Sequence, residues 1–415
     1  MLNKTQPQPR QQDSADQATG PLRGLKVLDI ATIIAGPLAG GLLADFGADV
    51  LKVEMPGDGD GLRALRPHKN GVSLWAKVIN RNKKGITLDL RTQEGVEIVK
   101  SLVQECDVLI ENFRPGTIEK WGIGPEDLWA VNPNLTILRV SAFGQKGPYA
   151  NRPGFARVAD AMSGFLSLCG QADGAPMHPG YPIADSVTGL FGALGILMAL
   201  LERHANPDAK GQVVSVSLFE SMFRILDFLP IEYDQLGEIR QRTGNRNPYA
   251  APGNCYQARD GQWCTVAAST QTLFERLASA IGREDLIIDP RFQTNVLRLQ
   301  YADQLDEIIG DWFAQRSAEE ACGELEAFSV TAAKVRTIDE LFTDPQVIAN
   351  QMIVGLEDDE LGSVRMQGVT PNFSRTPGSV HSPGPALGAD NNTIYAGRLG
   401  LSEAEITTLR NKQVI

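Results

Sequence analysis

Cysteine is sparse and poorly placed for cross-linking: Cys106, Cys169, Cys255, Cys264 and Cys322 are scattered, with no CxxC spacing. An odd number excludes a complete disulfide framework and points to a reducing compartment, here taken as the cytoplasm. Histidine is scarcer. His68, His178, His204 and His381 stand far apart, which excludes HExxH and CxxC…HxxxH metal sites. Excess positive charge is also missing: 39 Lys and Arg against 50 Asp and Glu leave a net charge of −11. That composition speaks against a general binder of nucleic acid or anionic membrane. The longest apolar run, Val187 to Leu201, falls about one turn short of a membrane span and carries Gly189, Gly192 and Gly195. It reads as a buried helix. Residues 1–20 are polar and Gln-rich, without the apolar stretch of a signal peptide, and read as a disordered tail. The GxSxG elbow, the GxxxxGK[ST] loop and GxGxxG are all absent.

What is present is the pattern of an α/β protein. The chain has 415 residues, 42% of them hydrophobic and 21% charged, enough for two or three domains. Leu25–Ile30, Asp49–Glu54, Asp107–Glu111 and Thr136–Val140 read as buried strands, with a short one at Thr87–Leu90. Helical spacing falls between them, at Pro37–Phe46 and Thr92–Glu105, so the fold class is a doubly wound, Rossmann-like parallel sheet. A long apolar helix is expected at Ser186–Arg203, a strand at Gln212–Ser217 and a helix at Leu218–Phe228. The partition is a large α/β domain over 21–225, a smaller α+β domain over 226–335, and a C-terminal segment, 336–415. Capping-box pairs at Ser317/Glu320, Thr337/Glu340 and Ser402/Glu405 mark helix starts.

Four features could carry chemistry. The first βα turn, IATIIAGPLAGG, is small and leads into a helix N-terminus, where backbone N–H groups can approach a phosphate; a purely structural turn fits equally. Glu54 ends the second strand, where a Rossmann acid would meet a ribose. Asn80-Arg81-Asn82-Lys83-Lys84, Arg91, Arg114 and Lys120 supply local cations, either solvated surface or a pocket for a phosphorylated group. Asp185 precedes the long apolar helix. It reads as an N-cap held ionised by the helix dipole, and an ionised carboxylate can also act as a nucleophile. Arg63, Arg66, His68 and Arg246 could meet a substrate carboxylate.

Taken together, these strings resemble the family III CoA-transferases, the group that includes formyl-CoA transferase and the carnitine and bile-acid CoA-transferases. The likeness runs from about Pro21 to the C-terminus. It rests on PLRGLKVLDIATIIAGPLAGGLLADFGADVLKVE, NRNKKGITLDL, ENFRPGTIEKWGI, SAFGQKGPYANRPGF, PIADSVTGL, DPRFQTN and the closing LSEAEITTLRNKQVI. The resemblance implies a large domain completed by the C-terminal segment, an inserted small domain and an interlaced homodimer. It implies Asp185 as the catalytic aspartate. It places Ile34, Ala35, Leu88, Asp89, Leu90, Arg91, Asn112, Phe113, Arg114 and Lys120 at the CoA site. Coenzyme A enters as substrate, with no tightly bound cofactor and no metal.

The reaction so implied moves CoA from an acyl-CoA, with succinyl-CoA as the expected donor, to a carboxylic acid through aspartyl anhydride and aspartyl-CoA thioester intermediates. Two other readings compete. The related α-methylacyl-CoA racemases exchange a Cα proton with a His-Asp pair, but Phe155 and Ala156 stand at those positions here. A catalytically idle CoA-binding relative would have no need of Asp185.

Overall fold

The computed structural model describes residues 20–206 and 208–415. The expected disordered tail, Gly20 apart, lies outside the described residues. Two compact units emerge: one comprises residues up to 163, 180–226 and 349–415, the other 164–179 and 227–348.

The first unit is built on six strands and the helices between them. In chain order these are β1 (Lys26–Asp29), α1 (Ala35–Asp45), β2 (Asp49–Glu54), β3 (Lys84–Thr87), α2 (Gln93–Val103), β4 (Val108–Glu111), β5 (Thr136–Ser141), α3 (Ala156–Met162), α4 (Ile183–Ala205) and β6 (Val213–Ser217). The strands lie in the order β3-β2-β1-β4-β5-β6, and every pair is parallel. Parallel strands covered on both faces need unbroken apolar runs, and β4 and β5 are buried at every position. Between strands, α2 opens on Thr92, whose side chain accepts from Gly95 N–H, and turns Val96, Val99, Leu102 and Val103 into the core. The order reverses between β1 and β4, where Val27, Leu28 and Asp29 pair with Val108, Leu109 and Ile110.

Two expected elements shift. The short strand forms at Lys84–Thr87 rather than Thr87–Leu90. Its ladder with β2 ends at Glu54↔Thr87: Leu88 N–H still reaches Glu54 O at 2.7 Å, but Asp89 N–H turns away to Val414 O at 2.8 Å. The long helix α4 has 23 residues, longer than its sequence suggested and long and apolar enough to cross a membrane by length and composition. One stripe (Ala184, Thr188, Gly189, Gly192, Ala193, Ile196, Ala199) is buried. Leu190, Leu194, Leu197, Met198 and Leu201 on the other side are exposed, so the helix is only half covered within the chain.

The open edge of β3 is sealed by the C-terminal segment rather than by another strand. Gly85 N–H donates to Asp390 Oδ2 (2.7 Å), Thr87 N–H to Asn391 Oδ1 (2.9 Å), and Asp390 N–H to Gly85 O (2.9 Å). Tyr395 donates its hydroxyl to Thr87 O at 2.6 Å. Ile394, Tyr395, Ile406 and Val414 join the same core as Leu51, Ile86 and Leu109. An unpaired edge is a liability, and these side-chain bonds remove it.

The second unit has its own core. Gly253–Gln257, Trp263–Ala267 and Ala332–Lys334 form a three-stranded antiparallel sheet. Helices Gln271–Ala280, Ala302–Phe313 and Ala318–Ala327 pack Phe274, Leu305, Ile309, Phe313 and Leu325 with Tyr256, Cys264 and Val266. The capping boxes at Ser317/Glu320, Thr337/Glu340 and Ser402/Glu405 are all present. The expected helix Leu218–Phe228 instead stops at Arg224, and a separate helix, Leu229–Leu236, follows. The edge seal predicts that Tyr395→Phe, which leaves Thr87 O without its buried donor, lowers stability by about 1–3 kcal/mol. The denaturant midpoint should fall with an unchanged m-value.

Candidate functional site

The loops leaving the C-terminal ends of β1, β3 and β4 lie along one edge of the sheet. Ligands in open α/β sheets bind at that edge, in the crevice where the strand order reverses. The reversal here falls between β1 and β4, so their two loops flank it. They carry Ile34 and Ala35 from β1, and Asn112, Phe113 and Arg114 from β4. Residues eighty apart in sequence are joined directly: Thr32 N–H donates to Asn112 Oδ1 (2.8 Å), and Asn112 Nδ2 donates back to Thr32 O (2.7 Å).

Leu88–Arg91 leave β3 two strands away. Leu88 and Leu90 are buried, whereas Asp89 and Arg91 form a two-toothed pair, both bonds 2.8 Å, that holds the Asp89 carboxyl below its usual range. Phe113 packs edge-on against Trp121, ring centroids 4.9 Å apart. Arg114 and Lys120 are exposed and form no ion pair among the described residues.

Of the other cations read from the sequence, Arg66 is exposed and forms no ion pair among the described residues, and the rest are already engaged. Arg81 pairs with Asp45, Lys83 with Asp29 and Lys84 with Asp49, so the 80–84 cluster is no phosphate pocket. Glu54 is not open to a ribose: its two oxygens take Arg63 Nε and Nη2 (both 2.7 Å) and Asp60 N–H (2.8 Å). That bond also removes Arg63 from the set of carboxylate binders, while His68 Nε2 lies 2.9 Å from Arg63 O. In the second unit, Arg246 is bound by Asp303 and Asp306, each at 2.6 Å.

Asp185 is in the first turn of α4, but it is not the cap; Pro182 holds that position without a side-chain bond. Helix α4 runs alongside α1 in the same direction. A Cβ at Gly189 would come within 3.0 Å of Ala35 O, and one at Gly192 within 3.4 Å of the Ala39 Cβ. At Gly189 a larger side chain would press on the α1 backbone, and at Gly192 on the Leu138 side chain at 3.0 Å. Asp185, one turn before Gly189 on the same face, therefore lies beyond the start of α1, level with the turn at 31–34. Burial, and secondarily the like charge of Asp160, push its carboxyl up to about 6.

Sequence reading overlooked Asp160, which is buried on α3, and the buried Lys52; Lys83, read there as a local cation, is buried as well. A signal existed for Lys52. It interrupts the apolar strand DVLKVE in a sheet covered on both faces, where an unpaired charge has no place.

A doubly wound sheet with a raised carboxyl near its crevice has the features of a candidate enzyme site. Comparison with known proteins makes the class specific. Residues 22–391 match CoA-transferase family III. The chain is 43% identical to succinyl-CoA--D-citramalate CoA-transferase of Chloroflexus aurantiacus over 403 residues, covering 97% of this chain and 100% of that one. It is 41% identical to the succinyl-CoA--L-malate CoA-transferase beta subunit of the same organism, covering 96% and 98%. The crystal structure of a CAIB/BAIF family protein from Brucella suis superposes with a TM-score of 0.83 at 34% identity, covering 91% and 99%. The chain belongs to CoA-transferase family III and is a CoA-transferase.

Were the Asp185 carboxylate the nucleophile, it would have to be ionised, and kcat/KM should fall as pH drops through about 6 and level off above it. Asp160→Asn removes the smaller of the two causes. The acid limb should then move to lower pH without disappearing, as a pH–rate profile would reveal.

Proposed function

We propose that this enzyme transfers CoA from succinyl-CoA to a short dicarboxylic acid, with Asp185 as the nucleophile. The Asp185 carboxylate attacks the thioester carbonyl, the C–S bond breaks, and CoA leaves as thiolate from a mixed anhydride. The thiolate then attacks the aspartyl carbonyl, releasing succinate and leaving an aspartyl-CoA thioester. The acceptor carboxylate attacks that thioester and expels the thiolate, and a second anhydride forms. The thiolate takes the acceptor acyl group and Asp185 is freed as carboxylate. No proton is consumed and no electron moves, so the chain needs only acyl-transfer chemistry.

The observation that carries this reading is the placement of Asp185, with its raised carboxyl, level with the β1–α1 turn at the switch point. We assign Ile34, Ala35, Leu88–Arg91 and Asn112–Arg114 to the CoA site, with Lys120 nearby. Arg114 and Lys120 are exposed, form no ion pair among the described residues, and suit CoA phosphates. The donor and the size of the acceptor follow the two Chloroflexus relatives, whose names specify succinyl-CoA with citramalate or malate. The exposed face of α4 supports self-association, and we propose an interlaced homodimer of cytoplasmic location.

Incubation with succinyl-CoA and no acceptor, followed by acid quench and peptide mass spectrometry, should find a CoA adduct on Asp185. Asp185→Ala should abolish the adduct and lower kcat by about 10³-fold or more. An adduct that survives the substitution, or Cα deuterium exchange without acceptor, would overturn the assignment.

A further inference from the structure

The turn from β1 to α1 is held by side chains rather than by backbone. Ala31 N–H donates to Asp29 Oδ1 at 3.1 Å, and Ala31 O accepts from Lys52 Nζ. Thr32 is bonded through both its N–H and its C=O to Asn112. Ile33 N–H donates to both oxygens of Asp60, at 2.9 and 3.1 Å. At Ile33 the backbone is left-handed, φ 67°. A β-branched side chain disfavours that conformation strongly, and such strain persists only where surrounding structure imposes it.

Asp60 is the group that takes the N–H of this residue, and Asp60 is itself fixed. It is buried and pairs with the fully buried Lys52 at 3.2 Å. Its own N–H is held by Glu54, and Glu54 by Arg63. A continuous polar chain thus runs Arg63–Glu54–Asp60–Ile33, entirely within the first unit. It ends one residue before Ile34, the N-cap of α1. Lys83 anchors the far side of the turn by donating to Asp29 Oδ2 (2.8 Å) and Pro37 O (2.6 Å).

We infer that Asp60, buttressed by Lys52, is a positioning residue for CoA: its carboxylate holds Ile33 in the left-handed conformation that sets Ile34 and Ala35 at the edge of the crevice. The inference rests on the assignment of Ile34 and Ala35 to the CoA site. Asp60 need not touch the substrate; it acts through the turn.

Glycine adopts a positive φ without restraint, which separates this role from a contribution to folding alone. Affinity for free CoA, measured by calorimetry on the full chain, should weaken tenfold or more in Asp60→Asn. In an Ile33→Gly background the same substitution should weaken it less than threefold, so the two positions are coupled. A structural role alone would lower Tm in both backgrounds and leave the effects on CoA affinity additive. Equal losses in both backgrounds, or wild-type affinity in Asp60→Asn, would overturn the proposal. Asp60→Glu, which keeps the charge opposite Lys52 but moves the acceptor by one methylene, carries the same expectation if Asp60→Asn does not fold. Ile34→Trp tests the underlying assignment separately. If it leaves CoA affinity intact, the site itself is misplaced. If it weakens binding while Asp60→Asn does not, only the clamp fails.

Discussion

The direct pairing of β1 with β4 is the constraint on which the site depends. Every other strand step in this sheet moves steadily outward, but at β1 the order turns back, so two loops distant in sequence leave adjacent strands side by side. The connections that leave β1 and β4 run to opposite sides of that reversal, so a crevice opens between their loops. The crevice is therefore a property of topology. Asn112 bridges it by bonding both backbone groups of Thr32. Helix α4 brings Asp185 to the same level because glycines at 189 and 192 let it lie against α1 and β5 at backbone distance.

Buried charge organises the rim of this crevice. Asp29, Lys52, Asp60 and Lys83 are all nearly or wholly excluded from solvent. Such groups are costly unless paired and hydrogen-bonded, and removing one partner from a buried pair is more damaging than never having had the pair. Here they supply the donors and acceptors that a tight turn cannot find within its own backbone. The cations of the 80–84 segment serve the scaffold for the same reason. Each has a carboxylate within reach, and a lysine as deeply buried as Lys83 has its proton affinity lowered by desolvation before the neighbouring Asp29 restores part of it. The unengaged cations at this edge, Arg114 and Lys120, are exposed instead.

In the role proposed for it, Asp185 sits between two demands. A nucleophile must be ionised, yet a carboxylate too well stabilised attacks poorly. Burial and the neighbouring charge of Asp160 place its carboxyl at about 6, so it is charged near neutrality without being strongly held. The absence of a capping role is consistent with this. Its side chain is not committed to the helix N-terminus, since the chain enters α4 through Pro182.

The sequence by itself determined the alternation of strands and helices in the first 140 residues, the family, the capping-box helix starts and Asp185 as the carboxylate of interest. These follow from local chemistry: apolar period, Ser or Thr followed by Glu, and a motif with a fixed neighbourhood. Which charges are free depends on contacts made only in the folded chain. Arg63, Arg246, Glu54 and the 80–84 cluster looked available because nothing in their own segments neutralises them; their partners come from elsewhere in the fold, as far as sixty residues away for Arg246 with Asp306. The seal on β3 was equally invisible, since Gly85 and Thr87 are met by Asp390, Asn391 and Tyr395 some three hundred residues later. So was the strained turn: no local signal announces a left-handed isoleucine, because the carboxylate that holds Ile33 there lies beyond the end of the next strand, and only folding brings the two together.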